Sequence, residues 1–295
     1  MAEDWRTIEE AISAATGARF RVQSAITVAG GDINRAFSLE GSGQRYFLKL
    51  NGPGMGDMFR AEADALRAID RARAVRVPLP LCAGEDAQQS WLVLEWLELQ
   101  PGGKADAALL GEQLARMHQS LSDTFGWHRD NTIGRTPQIN TASADWVSFY
   151  GRYRLGYQLE LAASNGAGGA LRDSGARLLE LLGGLFTDYR PQPSLLHGDL
   201  WGGNWACTAN NGPVIFDPAT YYGDREADLA MTELFGGFDE RFYQSYVSAW
   251  AIDPGYSTRK VLYNLYHVLN HFNLFGGGYA GQAQRMISSL LAEIT

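Results

Sequence analysis

Lysine is scarce in this chain: Lys49, Lys104 and Lys260 are the only three among 295 residues, so arginine carries most of the positive charge. A lysine inside an apolar, strand-like run therefore needs a reason, and Lys49 occupies such a run. Basic charge is short overall, 25 Lys and Arg against 33 Asp and Glu, for a net charge of -8. That balance excludes the basic face or stripe with which nucleic-acid binders neutralise phosphates. Cysteine is limited to Cys82 and Cys207, too few for a disulfide framework. Long apolar runs are missing too. The strand-like stretch 91–97 is broken by Glu95 and falls far below the ~20 residues a membrane helix needs. The opening residues are acidic where a secretory leader would be basic and then apolar. A cytoplasmic protein without nucleic-acid or membrane partners is expected.

With 45% hydrophobic residues, the chain can build one large or two modest cores. Trp5, Ile8, Ile12 and Ala15 recur at helical spacing, predicting a first helix that stops near Gly17. Residues 19–28, 34–39 and 45–50 read as strands, the first two joined by a turn through Gly30-Gly31. In the third strand the period of two puts Phe47 and Lys49 on one face, and Tyr46, Leu48 and Leu50 on the other. Residues 59–71 read as a helix whose stripe of Phe59, Glu62, Leu66 and Ile69 carries one carboxylate on its core side. Two more strands, 77–81 and 91–97, complete a five-stranded antiparallel layer with one helix against it. Pro101-Gly102-Gly103 then forms a linker to a helix over 109–121. Beyond it helices dominate, except for β-like stretches at 205–208 and 214–216. The expectation is an α+β, two-lobed architecture, with an N-terminal nucleotide lobe over 1–97 and a helical lobe over 98–295.

The strongest chemical signal is Leu195-Leu196-His197-Gly198-Asp199-Leu200-Trp201-Gly202-Gly203-Asn204, followed by Val214-Ile215-Phe216-Asp217. Phosphoryl transfer from ATP needs an aspartate to accept the hydroxyl proton, an asparagine five residues later on Mg2+, and a further strand-borne aspartate on Mg2+. Asp199, Asn204 and Asp217 match these roles in order. Lys49 and Glu62 supply an independent pair, a strand lysine for the ATP phosphates and a helix carboxylate to hold it. Burying either charge alone would cost several kcal/mol, so mutual pairing is expected. Gly30 and Gly31 could bring backbone N–H groups close to phosphate oxygens, although no full G-x-G-x-x-G is present. Glu95, Trp96 and Leu97, ending the last strand of the small lobe, would offer backbone groups to adenine. His267 and His271 share a helix face, but no third ligand accompanies them, so a core or substrate-site role outweighs zinc. The aromatics Tyr263, Tyr266, Phe272 and Phe275 read as helix packing, and Arg225 and Glu226 as solvated helix-start charges.

The run His197 to Asn204, together with Phe216-Asp217-Pro218-Ala219, Tyr222-Gly223-Asp224-Arg225-Glu226 and Phe235-Gly236-Gly237-Phe238, resembles the fructosamine kinase (ketosamine-3-kinase) family. Phe125-Gly126-Trp127, Pro137-Gln138-Ile139-Asn140 and Leu269-Asn270-His271-Phe272 extend the resemblance nearly end to end. It implies a protein-kinase-like fold, related to aminoglycoside and choline kinases, and phosphorylation of the sugar O3 hydroxyl of ketosamines, free or protein-bound. Many eukaryotic members carry a cysteine in the glycine-rich loop. Here that loop reads Gly30-Gly31-Asp32-Ile33-Asn34, so redox control through it is not expected. In the Gly-Asp-x-x-x-Asp pattern shared with aminoglycoside-type kinases, Asp228 would brace the catalytic loop, and Asp224 stands as an acceptor-side candidate with His271.

The sequence thus points to an ATP- and Mg2+-dependent kinase, with ATP between its lobes and Asp199 as catalytic base. Trp201 sits two residues after Asp199, where protein kinases place a lysine, and its indole suits an amphipathic sugar-amine; a core role for it remains the competing reading. A kinase of another small alcohol, such as an aminoglycoside, choline or a sugar, stays open. So does a non-catalytic nucleotide-binding module, against which the intact Lys49, Asp199, Asn204 and Asp217 speak. A hydrolase built on His197 and Asp199 would lack a nucleophile motif such as G-x-S-x-G.

Overall fold

A computed structural model of the chain describes residues 4–29, 33–209 and 212–294. They divide into two compact units, one of Met1–Gly102 with Ala206–Pro218, the other of Gly103–Trp205 with Ala219–Thr295.

The first unit opens with α1 (Arg6–Thr16), which ends where Gly17 adopts φ 71°, a left-handed turn that a side chain would resist, and returns its N–H to Ser13. Strands β1 (Ser24–Val28), β2 (Arg35–Gly41) and β3 (Gln44–Asn51) precede α2 (Gly56–Ala72), and β4 (Pro80–Glu85) and β5 (Ser90–Glu95) follow it. The five strands form one antiparallel sheet in the order β1-β2-β3-β5-β4. Alternation along β3 sets its two faces. Leu48 and Leu50 pack with Leu39, Trp91 and Val93 against Ile8 and Ile12 of α1, while Lys49 turns the other way, to Glu62 of α2. The expected five strands are present, but two helices serve the sheet rather than one. Each wholly buried leucine or isoleucine in this layer contributes about 1.5–3 kcal/mol.

Past β6 (Leu99–Gln100), the second unit begins with α3 (Lys104–His118) and a small hairpin, β7 (Asn131–Ile133) with β8 (Thr136–Gln138). Helices α4 (Trp146–Tyr150), α5 (Tyr157–Ser164) and α6 (Gly169–Leu181) follow, α4 and α5 joined by a wide π turn over Gly151–Gly156. Next comes β9 (Ser194–Leu195), which leads into the His197 to Asn204 loop. β10 (Trp205–Thr208) and β11 (Gly212–Ile215) lie mostly in the first unit, where β10 pairs with β6 through Cys207 and Gln100. The second unit resumes with β12 (Tyr222–Gly223), paired with β9, then α7 (Glu226–Leu234), α8 (Glu240–Ala249), α9 (Tyr256–Phe275) and α10 (Tyr279–Ile294).

Helix α9 is buried around its circumference over residues 262–270, with Leu262, Tyr263, Leu265, Tyr266, Val268 and Leu269 in the core and Asn264, His267 and Asn270 on the remaining arc, the pattern of a helix enclosed by others. Trp146, Phe149, Leu178 and Ile287 pack into the same core. The pairs β7–β8 and β9–β12 go beyond the two β-like stretches expected after the linker. Segments of two or three residues are too short to show a period of two. No helix among the described residues is long and apolar enough to cross a membrane.

Candidate functional site

In the first unit, β3, α2 and the turn after β11 converge on one ammonium group. Lys49 Nζ donates to Glu62 Oε1 at 2.5 Å and to Asp217 Oδ1 at 2.5 Å. Lys49 is 6% exposed. Burial alone lowers the lysine pKa, but the charges and hydrogen bonds of Asp217 and Glu62 outweigh it and carry it above the usual range. Glu62 is held by burial above the ordinary glutamate value, with Lys49 opposing and Asp217 reinforcing. Asp217 has φ 59°, in the left-handed region that aspartate tolerates better than most residues, so its carboxylate is presented by the backbone itself.

Glu95 closes the same unit's sheet. Its carboxylate accepts from Arg76 Nη2 at 2.6 Å and from the Leu79 N–H at 2.5 Å, while its own N–H donates to the Leu79 carbonyl at 2.9 Å. Arg76 also accepts through its carbonyl from the Ile215 N–H, tying this corner to the strand that delivers Asp217. The Trp96 indole donates to Glu98 and lies under the Arg45 guanidinium, 3.8 Å from the ring centre. Gly30 and Gly31 lie outside the described residues.

In the second unit the His197 to Asn204 loop is held almost wholly through its backbone. Asp228 of α7 accepts the His197 N–H at 2.6 Å and the Gly198 N–H at 2.8 Å. Gly198 has φ 84°, and a Cβ there would lie 2.1 Å from the Ala219 carbonyl oxygen, so the turn admits glycine alone. Asn204 Nδ2 donates to the Asp199 carbonyl at 2.8 Å, and the Asn204 N–H to the Trp201 carbonyl. The loop thereby presents the Asp199 carboxylate from a fixed main chain. Behind it His118 of α3 reaches Asp228 Oδ2 through Nε2 at 3.1 Å. Burial would raise the Asp228 pKa, but His118, His197 and the Gly198 N–H outweigh it and hold it low. His118 carries no motif in the sequence; its one signal is helical spacing, which puts it in phase with Leu110 and Leu114 on the buried side of α3.

Trp201 is 41% exposed, which speaks against the core reading. It lies over Gly203 and meets Phe235 edge-on at 6.4 Å, and Phe235 in turn lies 4.9 Å from His271. Trp201 and His271 are therefore linked through one aromatic ring. His271 Nδ1 is 2.8 Å from the His267 carbonyl. Phe275, expected to pack, is 62% exposed and borders His271.

Asp224 requires a correction, because it is wholly buried and its oxygens accept from Tyr189 Oη, Tyr263 Oη and the Glu226 N–H. A carboxylate so occupied is a packing group and cannot meet an acceptor. Arg225 and Glu226 are not solvated either. Glu226 receives two hydrogen bonds from Arg259, and Arg225 stacks 4.0 Å over Trp250. Partners 25 to 33 residues away made this burial invisible to local reading.

Among the described residues no group of three or more His, Cys, Asp or Glu could hold a metal ion alone. Mg2+ in nucleotide enzymes typically takes only one or two protein oxygens, the rest coming from phosphates and water. In the first unit Asp217 offers one such oxygen on a half-exposed carboxylate. In the second, Asn204 commits its Nδ2 to the Asp199 carbonyl, so the group it could offer a cation is its amide oxygen.

Comparison with known proteins gives a consistent result. The family described as fructosamine kinase matches residues 4–293. A probable ketoamine kinase of Synechocystis sp. is 50% identical, covering 97% of both chains. A chloroplastic protein-ribulosamine 3-kinase of Arabidopsis thaliana is 44% identical over 90% of this chain and 82% of its own. Among solved structures, a candidate fructosamine-3-kinase of Haemophilus somnus superposes with a TM-score of 0.89 at 29% identity, covering 97% of each chain. An aminoglycoside phosphotransferase, at 19% identity and a TM-score of 0.62 over 96% of this chain and 98% of its own, shares the fold.

Proposed function

Because this chain belongs to the fructosamine kinase family, we propose that it is an ATP-dependent kinase that phosphorylates the sugar O3 hydroxyl of ketosamines, free or protein-bound, as a deglycation activity in the cytoplasm. The observation that carries this reading is the buried Lys49 ammonium held by Glu62 and Asp217, the arrangement a phosphate-orienting lysine requires.

Lys49 orients the ATP phosphates, and Glu62 keeps its ammonium charged and in place. The backbone at Glu95, Trp96 and Leu97 meets adenine; the Glu95 N–H is committed to Leu79, which leaves that contact chiefly to the next two residues. Asn204 and Asp217 are the residues that would hold Mg2+, and the bound ion would neutralise phosphate charge. Asp199 receives the O3 proton of the acceptor as the O3 oxygen attacks the terminal phosphorus of ATP; the bond from that phosphorus to the bridging oxygen breaks and ADP leaves. The braced loop keeps that carboxylate within reach of the hydroxyl, so positioning contributes much of the rate. Trp201 and His271, joined through Phe235, form the acceptor platform, with indole and phenyl faces for sugar C–H groups and a cationic amine.

ATP consumption measured against free and protein-bound ketosamines, aminoglycosides and choline tests the reading. Selective turnover of ketosamines, with a 3-phosphate product, is expected. Turnover confined to aminoglycosides or choline would overturn it.

A further inference from the structure

Behind the catalytic loop the second unit contains a hydrogen-bond chain longer than the brace alone requires. Asp228, on α7, accepts the His197 and Gly198 N–H groups and meets His118 Nε2 at 3.1 Å. The other ring nitrogen, His118 Nδ1, lies 2.8 Å from Tyr246 Oη of α8. Tyr246 Oη in turn lies 3.1 Å from Arg225 Nη1. Arg225 is anchored by the Trp250 carbonyl at 3.2 Å, by the Ala251 carbonyl, and by the Trp250 ring beneath it. His118 and Tyr246 are wholly buried and Asp228 nearly so, which puts a misdirected proton out of reach of bulk solvent.

With a neutral His118 the donors and acceptors in this chain run in one direction. A guanidinium has no acceptor, so Arg225 donates to Tyr246 Oη. The phenol has a single proton, and His118 Nδ1 is the acceptor within reach of it. A neutral His118 then carries its own proton on Nε2, where the Asp228 carboxylate accepts it. Reversing the imidazole would set Nδ1–H against Tyr246 and place a bare Nε2 beside a carboxylate, two lone pairs facing each other. A buried polar atom left unsatisfied is destabilising.

We propose that Tyr246, held by Arg225, is a positioning residue that fixes His118 as its Nε2–H tautomer and so locks Asp228 onto the His197–Gly198 backbone. The effect on catalysis rests on the reading of Asp199 as the base on that loop; the tautomer does not. Tyr246 touches neither the loop nor any reacting atom. Its influence passes through His118 and Asp228, linking the C-terminal end of α8 to the geometry of the Asp199 carboxylate.

Nitrogen NMR of histidine-labelled protein, with His118→Gln used to assign the signal, separates these layers. In the unaltered protein the His118 ring is expected as the Nε2–H tautomer. An Nδ1–H ring or an imidazolium at neutral pH overturns the proposal without any variant being needed. In Tyr246→Phe the ring is expected to become a mixture of tautomers, with kcat about 10-fold lower, the equivalent of one net hydrogen bond, and KM for ATP and ketosamine changed less than about 2-fold. A single unchanged tautomer in that variant, or a changed tautomer with unchanged kcat, also overturns it. Absence of ketosamine turnover in the unaltered protein would count against the proposed function and leave the tautomer result standing.

Discussion

Lys49 and Asp217 are 168 positions apart in the chain, yet their ammonium and carboxylate groups meet at 2.5 Å. The contact joins the third strand of the sheet to the turn after β11, and Glu62 closes it from α2. Replacing Lys49 with methionine removes the cation that the two carboxylates share. Stranding a charge in the interior costs about 3–5 kcal/mol. Glu62 escapes part of that cost, because its pKa is already raised and it takes up a proton instead. Lys49→Met is therefore expected to fold with a modestly lower Tm in calorimetry, and to lose ATP turnover by roughly 10²- to 10³-fold, the scale of one charge-stabilising donor. Unchanged turnover would remove Lys49 from the phosphate-binding role.

Asp199→Asn tests the base. The loop is held by Asp228, by Asn204 and by its own backbone, and the substitution keeps the size of the side chain. Its kcat should fall by about 10²- to 10⁴-fold, as for loss of a general base. Nucleotide affinity by calorimetry and Tm should stay close to the parent values. Near-normal kcat would assign the base elsewhere.

The resemblance and the order of motifs made the kinase architecture legible, and β-alternation alone put Lys49 opposite Leu48 and Leu50. The exposed position of Trp201 and the burial of Asp224 were not legible. Both depend on residues distant in sequence: Phe235 beside the indole, and Tyr189 and Tyr263 on the carboxylate. The same holds for Glu226, which looks like a solvated helix-start charge until Arg259 is brought against it. Local pattern reports which face a side chain takes, and burial of a charge is decided by partners that local pattern cannot see.

The buried carboxylates predict an unusual pH response. Burial, reinforced by Asp224, pushes Glu226 up to about 7 against the opposing Arg259, and Asp224 is raised as well. A carboxyl raised in the folded state binds its proton more tightly there than in the unfolded chain. Its stabilising share is complete below the unfolded value near 4.5 and is lost as pH rises toward about 7. Glu226 alone would account for up to about 3 kcal/mol across that window. Asp228, held low, acts oppositely, and its share is lost in acid below the ordinary aspartate value. Burial holds His267 down to about 3 and adds stability as pH rises toward 6.5, in the parent and in Glu226→Gln alike. Thermal melts from pH 5 to 8 should therefore show the parent losing Tm relative to Glu226→Gln as pH rises. A Tm difference between the two that stays constant from pH 5 to 8 would show that Glu226 does not titrate in that window.

Trp201 gives the sharpest test of the acceptor site. At 41% exposure, resting on Gly203 and touching Phe235 by an edge, it contributes little to the core. Truncating a buried tryptophan would cost ~3–5 kcal/mol of stability, whereas an exposed ring should cost far less. A loss appearing mainly in acceptor use therefore marks recognition. Trp201→Ala is expected to raise KM for ketosamine, or lower kcat/KM by the equivalent of ~1–3 kcal/mol, with ATP affinity and Tm little changed. Trp201→Phe should retain part of the loss, because a phenyl face still packs against sugar C–H groups while the indole N–H is gone. His271→Ala should act in the same direction, since His271 shares Phe235 with the indole. A strongly lowered Tm with normal ketosamine KM in the folded fraction would return Trp201 to a packing role. A loss of ATP affinity equal to the loss of acceptor use would instead make it a general support of the loop.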